Sequence, residues 1–462
     1  MLLRRDTNST RRATRLIQGR GAVWAGLAMA WMAGGGCFQN KSTSGLPLAI
    51  AVSGDTAGWI VPCGCTTNQS GGLLRRGTYL DQLRQEAEVL YLDVGGAIEG
   101  TAPYDVAKFE AIVQGELSMG LRLHNIGAAE AALGRAELHD LEKRLDSPIF
   151  FSANVQDADG NPLAPPSKTL EIAQQRVLVI GVLSASFATE KVQVAPPRTA
   201  ILEQLKRSEV AGGHDFVLVL AYAPEEELRE LARQLPELDA IVGGPTGQAI
   251  APEQTGPVML ASATNKGKFL IELRLPTAAG KRLSGQAIEL SEDFADASDQ
   301  QENLETFYQK LAEADFAASQ TSFVPKDSST DGELAQMAGS ASCRDCHPQD
   351  WQVWSDSAHA HAWQTLEKTG SQVDSYCQQC HVTGFGLSGG FVSAKRSPEQ
   401  VNVGCESCHG PSQQHVKDPQ IRTPYYKSAS FTCVRCHDHE NSPQFEYDSY
   451  WQMIEHSAKG AS

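Results

Sequence analysis

Four copies of Cys-x-x-Cys-His within a hundred residues constrain this 462-residue chain more than any other feature. They read CRDCH at Cys343, Cys346 and His347; CQQCH at Cys377, Cys380 and His381; CESCH at Cys405, Cys408 and His409; and CVRCH at Cys433, Cys436 and His437. Two thiols three positions apart each add to one vinyl group of a haem, and the adjacent imidazole reaches the iron. A zinc ribbon pairs cysteines in the same way but needs no histidine after each pair, and disulfides explain the histidines even less. The expectation is four covalently attached haem c groups. A segment built this way needs few aliphatic residues, because the porphyrins form its core, and its secondary structure should be short helices and loops.

Each iron also has a sixth position. His359, His361, His415, His439 and His456 are the remaining histidines of this region. His359 and His361 are two apart and cannot point the same way from a helix, so one of them is expected to ligate. His415 follows its own motif through a short Gly-Pro loop that can carry an imidazole to a neighbouring haem, and His456 sits in SYWQMIEHSA, a candidate terminal helix. His439, beside Glu440, reads as a solvated polar residue. Four closed irons, or three closed and one open, both fit this count.

Arg4, Arg5, Arg11, Arg12, Arg15 and Arg20 precede the short apolar run AVWAGLAMAWMAGGG, which ends at Cys37. This pattern over residues 1–37 is an export signal with a basic n-region. Lipid attachment at Cys37, cleavage nearby and an uncleaved anchor all follow from it, and all three put the remainder outside the cytoplasm, periplasmic or membrane-anchored. The formal net charge of −16 excludes a basic nucleic-acid binder and favours a basic redox partner protein.

Residues 46–295 alternate apolar strand-like runs (LPLAIAVSG, VLYLDVGG, QRVLVIGVLSA, FVLVLAY, DAIVGG, PVMLASAT, FLIELRLP) with helical patterns at 78–88, 105–118, 128–146 and 225–236. This predicts an α/β sandwich or doubly wound sheet, mixed at its 257–275 end. Residues 296–318 read as a helix, 319–340 as a linker rich in Ser, Asp, Lys and Gly, and 341–462 as a mainly α/loop haem domain.

Both regions resemble known families. SCRDCHPQDWQVWSDSAHAHAW, CHVTGFG, NVGCESCHGPSQQHV and CHDHENSPQFEYDSYW are similar to the tetrahaem cytochromes of the c-554 type, related to hydroxylamine oxidation in nitrifying bacteria. The resemblance implies stacked haem pairs, mostly bis-histidine irons and electron transfer, with one iron left open in some relatives and able to bind nitric oxide. The loops SGDTAGW, LDVGG, LHNIGAAE and IVGGPTGQ resemble those of the calcineurin-like metallophosphoesterases, in the exported nucleotidase branch. That family implies two metal ions on Asp, His and Asn side chains. Asp55, Asp93 and Asn125 stand at matching places, whereas Gly96, Ile126 or Gly127, Pro245 and Gly247 replace expected ligands. Hydrolysis is therefore expected to be lost.

Cys63 and Cys65, in WIVPCGCTTNQSGGLLRR, lie too close for a good disulfide. They bind a soft metal ion with another side chain, sit free and reactive beside Arg75 and Arg76, or fill a turn around Gly64. His124, His139 and His214 are expected to be surface or satisfied core residues. The leading function is an electron-transfer protein whose α/β domain docks a partner or binds a ligand. The alternatives are a haem enzyme acting on a small nitrogen compound at an open iron, a metal-dependent phosphoesterase, and a scaffold in a membrane-attached complex.

Overall fold

Strand β1, Leu48–Ser53, is buried at every position, which only a strand covered on both faces permits. It pairs in parallel with β2, Glu88–Asp93, which continues to β3, Leu121–Asn125, and β4, Phe150–Phe151. The structure, a computed structural model, describes residues 46–62, 69–276, 283–323, 336–425, 432–438 and 441–456. Cys37, Cys63, Cys65 and His439 lie outside the described residues. No helix among the described residues is long and apolar enough to cross a membrane.

A short ribbon joins β5, Val155–Asp157, to β8, Val192–Val194. The second sheet runs from β6, Ser167–Ile172, and β7, Gln175–Leu183, through β9, Phe216–Tyr222, to β10, Ala240–Gly244. It ends with β12, Val258–Ser262, and β11, Ile250–Thr255. The first sheet is completed by β13, Phe269–Arg274, antiparallel to β1, and β14, Ser284–Glu289. Both six-stranded sheets are mixed.

The period of two along a strand explains how the sheets stack. Val177, Val179, Leu218, Leu220, Val242 and Met259 point into one core together with the first sheet. Their neighbours Leu178, Ile180, Val182, Val217, Val219 and Ile241 point into a second core with Ile201, Leu228 and Leu231. The last three come from α4, Pro197–Val210, and α5, Glu225–Gln234. The first sheet's other face carries α1, Gly72–Arg84, and α2, Pro103–Ser118; α6, Ser298–Ala314, packs on these two helices. Helix α3, Ala128–Leu145, leaves the end of β3 and kinks at Gly134. Each fully buried aliphatic side chain contributes about 1.5–3 kcal/mol, so these two cores hold the α/β domain without help from a cofactor.

The first helix starts and ends earlier than the periodicity predicts, over Gly72–Arg84 rather than 78–88, because β2 begins at Glu88. Helix α4, capped by Pro196 and starting at Pro197, is absent from the sequence reading. Beyond residue 340 the elements are short: α7, Pro348–Ser355; α8, Ala362–Thr369; α9, Ser375–His381; α10, Cys405–His409; α11, Gln413–Lys417; and α12, Tyr447–Gln452. Among the described residues their buried apolar cluster is Trp363, Leu366, Val382 and Phe391, too little to hold this segment by itself.

Candidate haem sites and a cavity in the nucleotidase-like domain

The second and third attachment motifs are single helical turns, α9 and α10, which set their two thiols on one side with the histidine next to them. The first lies where the 3-10 turn Ser340–Cys343 runs into α7, whose N-cap is His347. All eight motif cysteines are free of disulfides. The thiols of Cys343 and Cys405 neighbour each other, as do those of Cys380 and Cys436, so the first motif lies beside the third and the second beside the fourth. Glu406, between the cysteines of the third motif, is 1% exposed and accepts the backbone N–H groups of Ala338, Gly339 and Ser412 at 2.7–2.8 Å. Ser340 Oγ accepts Cys405 N–H at 3.1 Å, and Thr383 Oγ1 accepts Gly404 N–H at 2.8 Å. Thus a residue from the segment of each of the first two motifs braces the third. None of these three side chains was singled out in the sequence, although Glu406 sits inside a motif.

The histidines come together in pairs. Ring centres of His347 and His415 are 6.1 Å apart, those of His359 and His437 6.1 Å, and those of His409 and His456 5.7 Å. An iron held by two imidazole nitrogens at about 2 Å each, with each ring centre roughly 1 Å further back, puts two centres about 6 Å apart. The three pairs fit that requirement. The Nδ1 atoms of His415 and His456 donate to the carbonyls of Ile421 and Ile454 at 2.7 and 2.9 Å, which leaves Nε2 as the ligating atom. Burial, with His437 next, lowers the pKa of His359; burial, with His456 next, lowers that of His409; and burial does the same at His437. Each is then the neutral imidazole that a metal takes.

His381 differs. Its Nδ1 donates to Ala362 O at 2.8 Å, which orients Nε2 as in the others, but among the described residues no histidine ring stands opposite it. His361 is exposed and faces no motif histidine, whereas His359, two residues away, is the one turned inward.

Residues 342–410 match the cytochrome c554 and c-prime family. The match covers the first three motifs, implies covalently bound haem c, and leaves the fourth, at Cys433 to His437, outside it. Cytochrome c-554 of Nitrosomonas europaea is 37% identical over 99 residues, 18% of this chain and 42% of that protein. This cytochrome c554-like region is a multihaem cytochrome segment that follows the α/β domain.

In that domain a cavity of about 360 Å³ opens at the carboxyl ends of β1, β9 and β10, lined by Asp55, Ala57, Glu99, Ala128, Ala129 and Tyr222, with Pro245 and Gly247 at its edge. Strand ends of this kind are where α/β sheets bind ligands. The domain resembles a 5'-nucleotidase precursor from Thermus thermophilus at 20% identity and a TM-score of 0.50, over 59% of this chain and 61% of that one. It also resembles a calcineurin-like phosphoesterase from Bacillus subtilis at 18% identity and a TM-score of 0.48, over 58% of this chain and 98% of that one. The first likeness shows the metallophosphoesterase α/β fold.

The cavity's chemistry is not that of a dinuclear site. Asp55 faces it, its carboxylate accepting Thr264 Oγ1 and Asn265 N–H at 2.8 and 3.0 Å. Burial raises its pKa, which disfavours the charged form that binds a cation. A Cβ on Gly96 would lie 2.5 Å from the Tyr222 ring, so an aromatic side chain stands where the bridging carboxylate is expected.

Asn125, at a matching place in the sequence, is not among the residues lining the cavity. It is wholly buried and its Nδ2 donates to Val94 O and Val182 O at 2.9 and 3.0 Å, tying the two sheets, while Ala128 and Ala129 face the cavity. Asp93 is likewise buried, bonded to Ser53 Oγ and to Gly95 N–H at 2.7 Å, away from the cavity lining.

Asp93 belongs instead to a buried charge cluster. His124, expected on the surface or as a satisfied core residue, is 0% exposed and its ring nitrogens lack hydrogen-bond partners. Its Nδ1 lies 3.4 Å from Glu116 and 3.6 Å from Asp93, and its Nε2 3.6 Å from Glu130. Arg76, itself 0% exposed, binds Glu116 through Nη1 at 2.8 Å. Arg75 is turned toward Leu290 O and Asp296. His139 is exposed, and His214 meets Ser208 Oγ at 3.0 Å, as expected of both.

Proposed function

We propose that this chain is an exported carrier of four covalently attached haem c groups that passes electrons between redox partner proteins. The observation that carries the reading is the set of three histidine pairs at bis-imidazole spacing. His347 with His415, His409 with His456, and His437 with His359 would hold three irons, and His381 the fourth. Bound haem supplies one-electron exchange, and the thiol contacts between the first and third motifs and between the second and fourth support two close haem pairs. The chain's own residues orient His381, His415 and His456 through the carbonyls of Ala362, Ile421 and Ile454, and burial lowers the pKa of His359, His409 and His437. The acidic surface favours a basic partner, with association that weakens as salt rises.

A second reading rests on His381. With no histidine opposite it among the described residues, the haem it holds would keep one axial face for a small ligand such as nitric oxide or hydroxylamine. Metal-dependent phosphate hydrolysis is the weakest reading, because Ala57, Ala128, Ala129, Pro245 and Gly247 offer the cavity no ligand atom from their side chains.

The test is electron paramagnetic resonance of the oxidised haem-loaded protein, quantified against total haem. One high-spin haem in four that shifts on adding nitric oxide supports the relay with an open iron. Four low-spin haems leave a pure relay and sink the second reading. Fewer than four haems per chain would overturn the first.

A further inference from the structure

The second attachment motif is rooted in the α/β domain. Helix α9 begins at Asp374, whose carboxylate caps it by accepting Tyr376 N–H at 2.9 Å. The same carboxylate accepts the Tyr104 hydroxyl and lies 3.6 Å from Lys108 Nζ, both residues of α2. Lys108 Nζ donates to Tyr104 Oη at 2.7 Å and stands 5.1 Å from the ring centres of Tyr104 and Tyr376. Tyr376, next to Cys377, packs edge-on against Trp59 and Phe323 at 6.1 and 5.7 Å. Tyr104 is 0% exposed, Asp374 6% and Lys108 7%. Among the described residues, no hydrogen bond, ion pair or ring contact joins the α/β domain to the first or third motif, at 340–347 and 404–410; their braces come from within the C-terminal region.

A buried ammonium is tolerated only beside an opposite charge, and both charges here are screened little by solvent. A charge near a haem changes the energy of adding an electron to it, and burial strengthens the effect. We propose that the nucleotidase-like domain acts as a clamp that tunes one haem, the one tethered through Cys377 and Cys380, with Lys108 and Asp374 as its positioning pair. This rests on the four-haem reading above. Lys108 stabilises the reduced state of that haem, Asp374 the oxidised state, and the haems of the first and third motifs, whose described residues make no such contact with the α/β domain, lie beyond the pair's reach.

The experiment is a redox titration of the full-length haem-loaded protein, with the high-spin and low-spin resonance signals followed separately. Lys108→Met should move the midpoint of the His381 haem to lower potential and Asp374→Asn, which keeps the helix cap, to higher potential. The double variant should return toward the parent, and Lys310→Met, on the exposed face of α6, should change nothing. Shifts of equal sign in both single variants, shifts spread over all four haems, or no shift would overturn the clamp. If the parent shows no high-spin haem, the open-iron reading fails by itself. The clamp is then judged by whether one optical wave of the four moves in opposite directions in the two variants. If Lys108→Met fails to load haem, Asp374→Asn and Lys108→Arg decide: the first must still raise one midpoint and the second must leave it in place.

Discussion

Burial at single residues separates two kinds of histidine in this molecule. His124 sits among Asp93, Glu116 and Glu130. Burial opposes its charge, but the three carboxylates outweigh that and push its pKa up to about 10. A raised folded value stabilises the fold fully below the ordinary 6.5, and that stabilisation is lost as pH rises toward 10. Asp93, raised to about 6 by burial and then by Glu116, adds a loss in the same direction at lower pH. Urea unfolding of the haem-loaded protein should therefore show stability falling between pH 6.5 and 10. His124→Gln should flatten that slope and cost roughly 3–5 kcal/mol at neutral pH, because it leaves buried carboxylates unpaired. The distal histidines are held for a different end. His415→Ala should leave the fold intact and convert the His347 haem to high spin, read as one additional high-spin haem per chain by paramagnetic resonance.

The C-terminal helices are too short to persist alone and depend on their ends. Glu406 satisfies three backbone donors that would otherwise be buried without partners, each a penalty of about 1–3 kcal/mol. Glu406→Ala should lower the haem-to-protein ratio in the purified protein, with peptide mapping showing the loss at Cys405 and Cys408. A conservative Glu406→Gln should recover part of it, since one amide oxygen still accepts. Asn125 makes the corresponding element-scale tie in the α/β domain. Asn125→Ala strands the Val94 and Val182 carbonyls and should cost about 2–4 kcal/mol in unfolding measurements. The same variant should leave any hydrolysis of nucleotide analogues at background, as in the parent.

At the scale of the molecule, two regions obey different rules of stability. The α/β domain buries two extended cores between and behind its sheets, while among the described residues the C-terminal region buries a cluster of Trp363, Leu366, Val382 and Phe391 and otherwise surrounds its attachment sites. Chain made without haem attachment should keep a protease-resistant fragment ending near α6, with residues beyond 340 digested; loading haem should protect both. The regions are tied by more than sequence. Asp315 at the end of α6 accepts Ser393 Oγ at 2.9 Å and pairs with Arg396 at 3.6 Å, and the Lys108–Asp374 pair is buried between α2 and α9.

Residue type and spacing alone determined the attachment chemistry, since two thiols and an imidazole within five residues are a local requirement. The same holds for the strands of the α/β domain, whose periodicity is local, and for the glycines and prolines that stand where metal ligands are expected. Pairing of histidines was decided by tertiary structure: His415, His359 and His456 meet partners 68, 78 and 47 positions away in the sequence, and spacing carries no information over such lengths. It also turned Asn125 and Asp93 away from the cavity, buried Arg76 and His124 in one cluster, and set Lys108 against Asp374. Each depends on which faces of separate elements are pressed together, a property of packing that no single segment encodes.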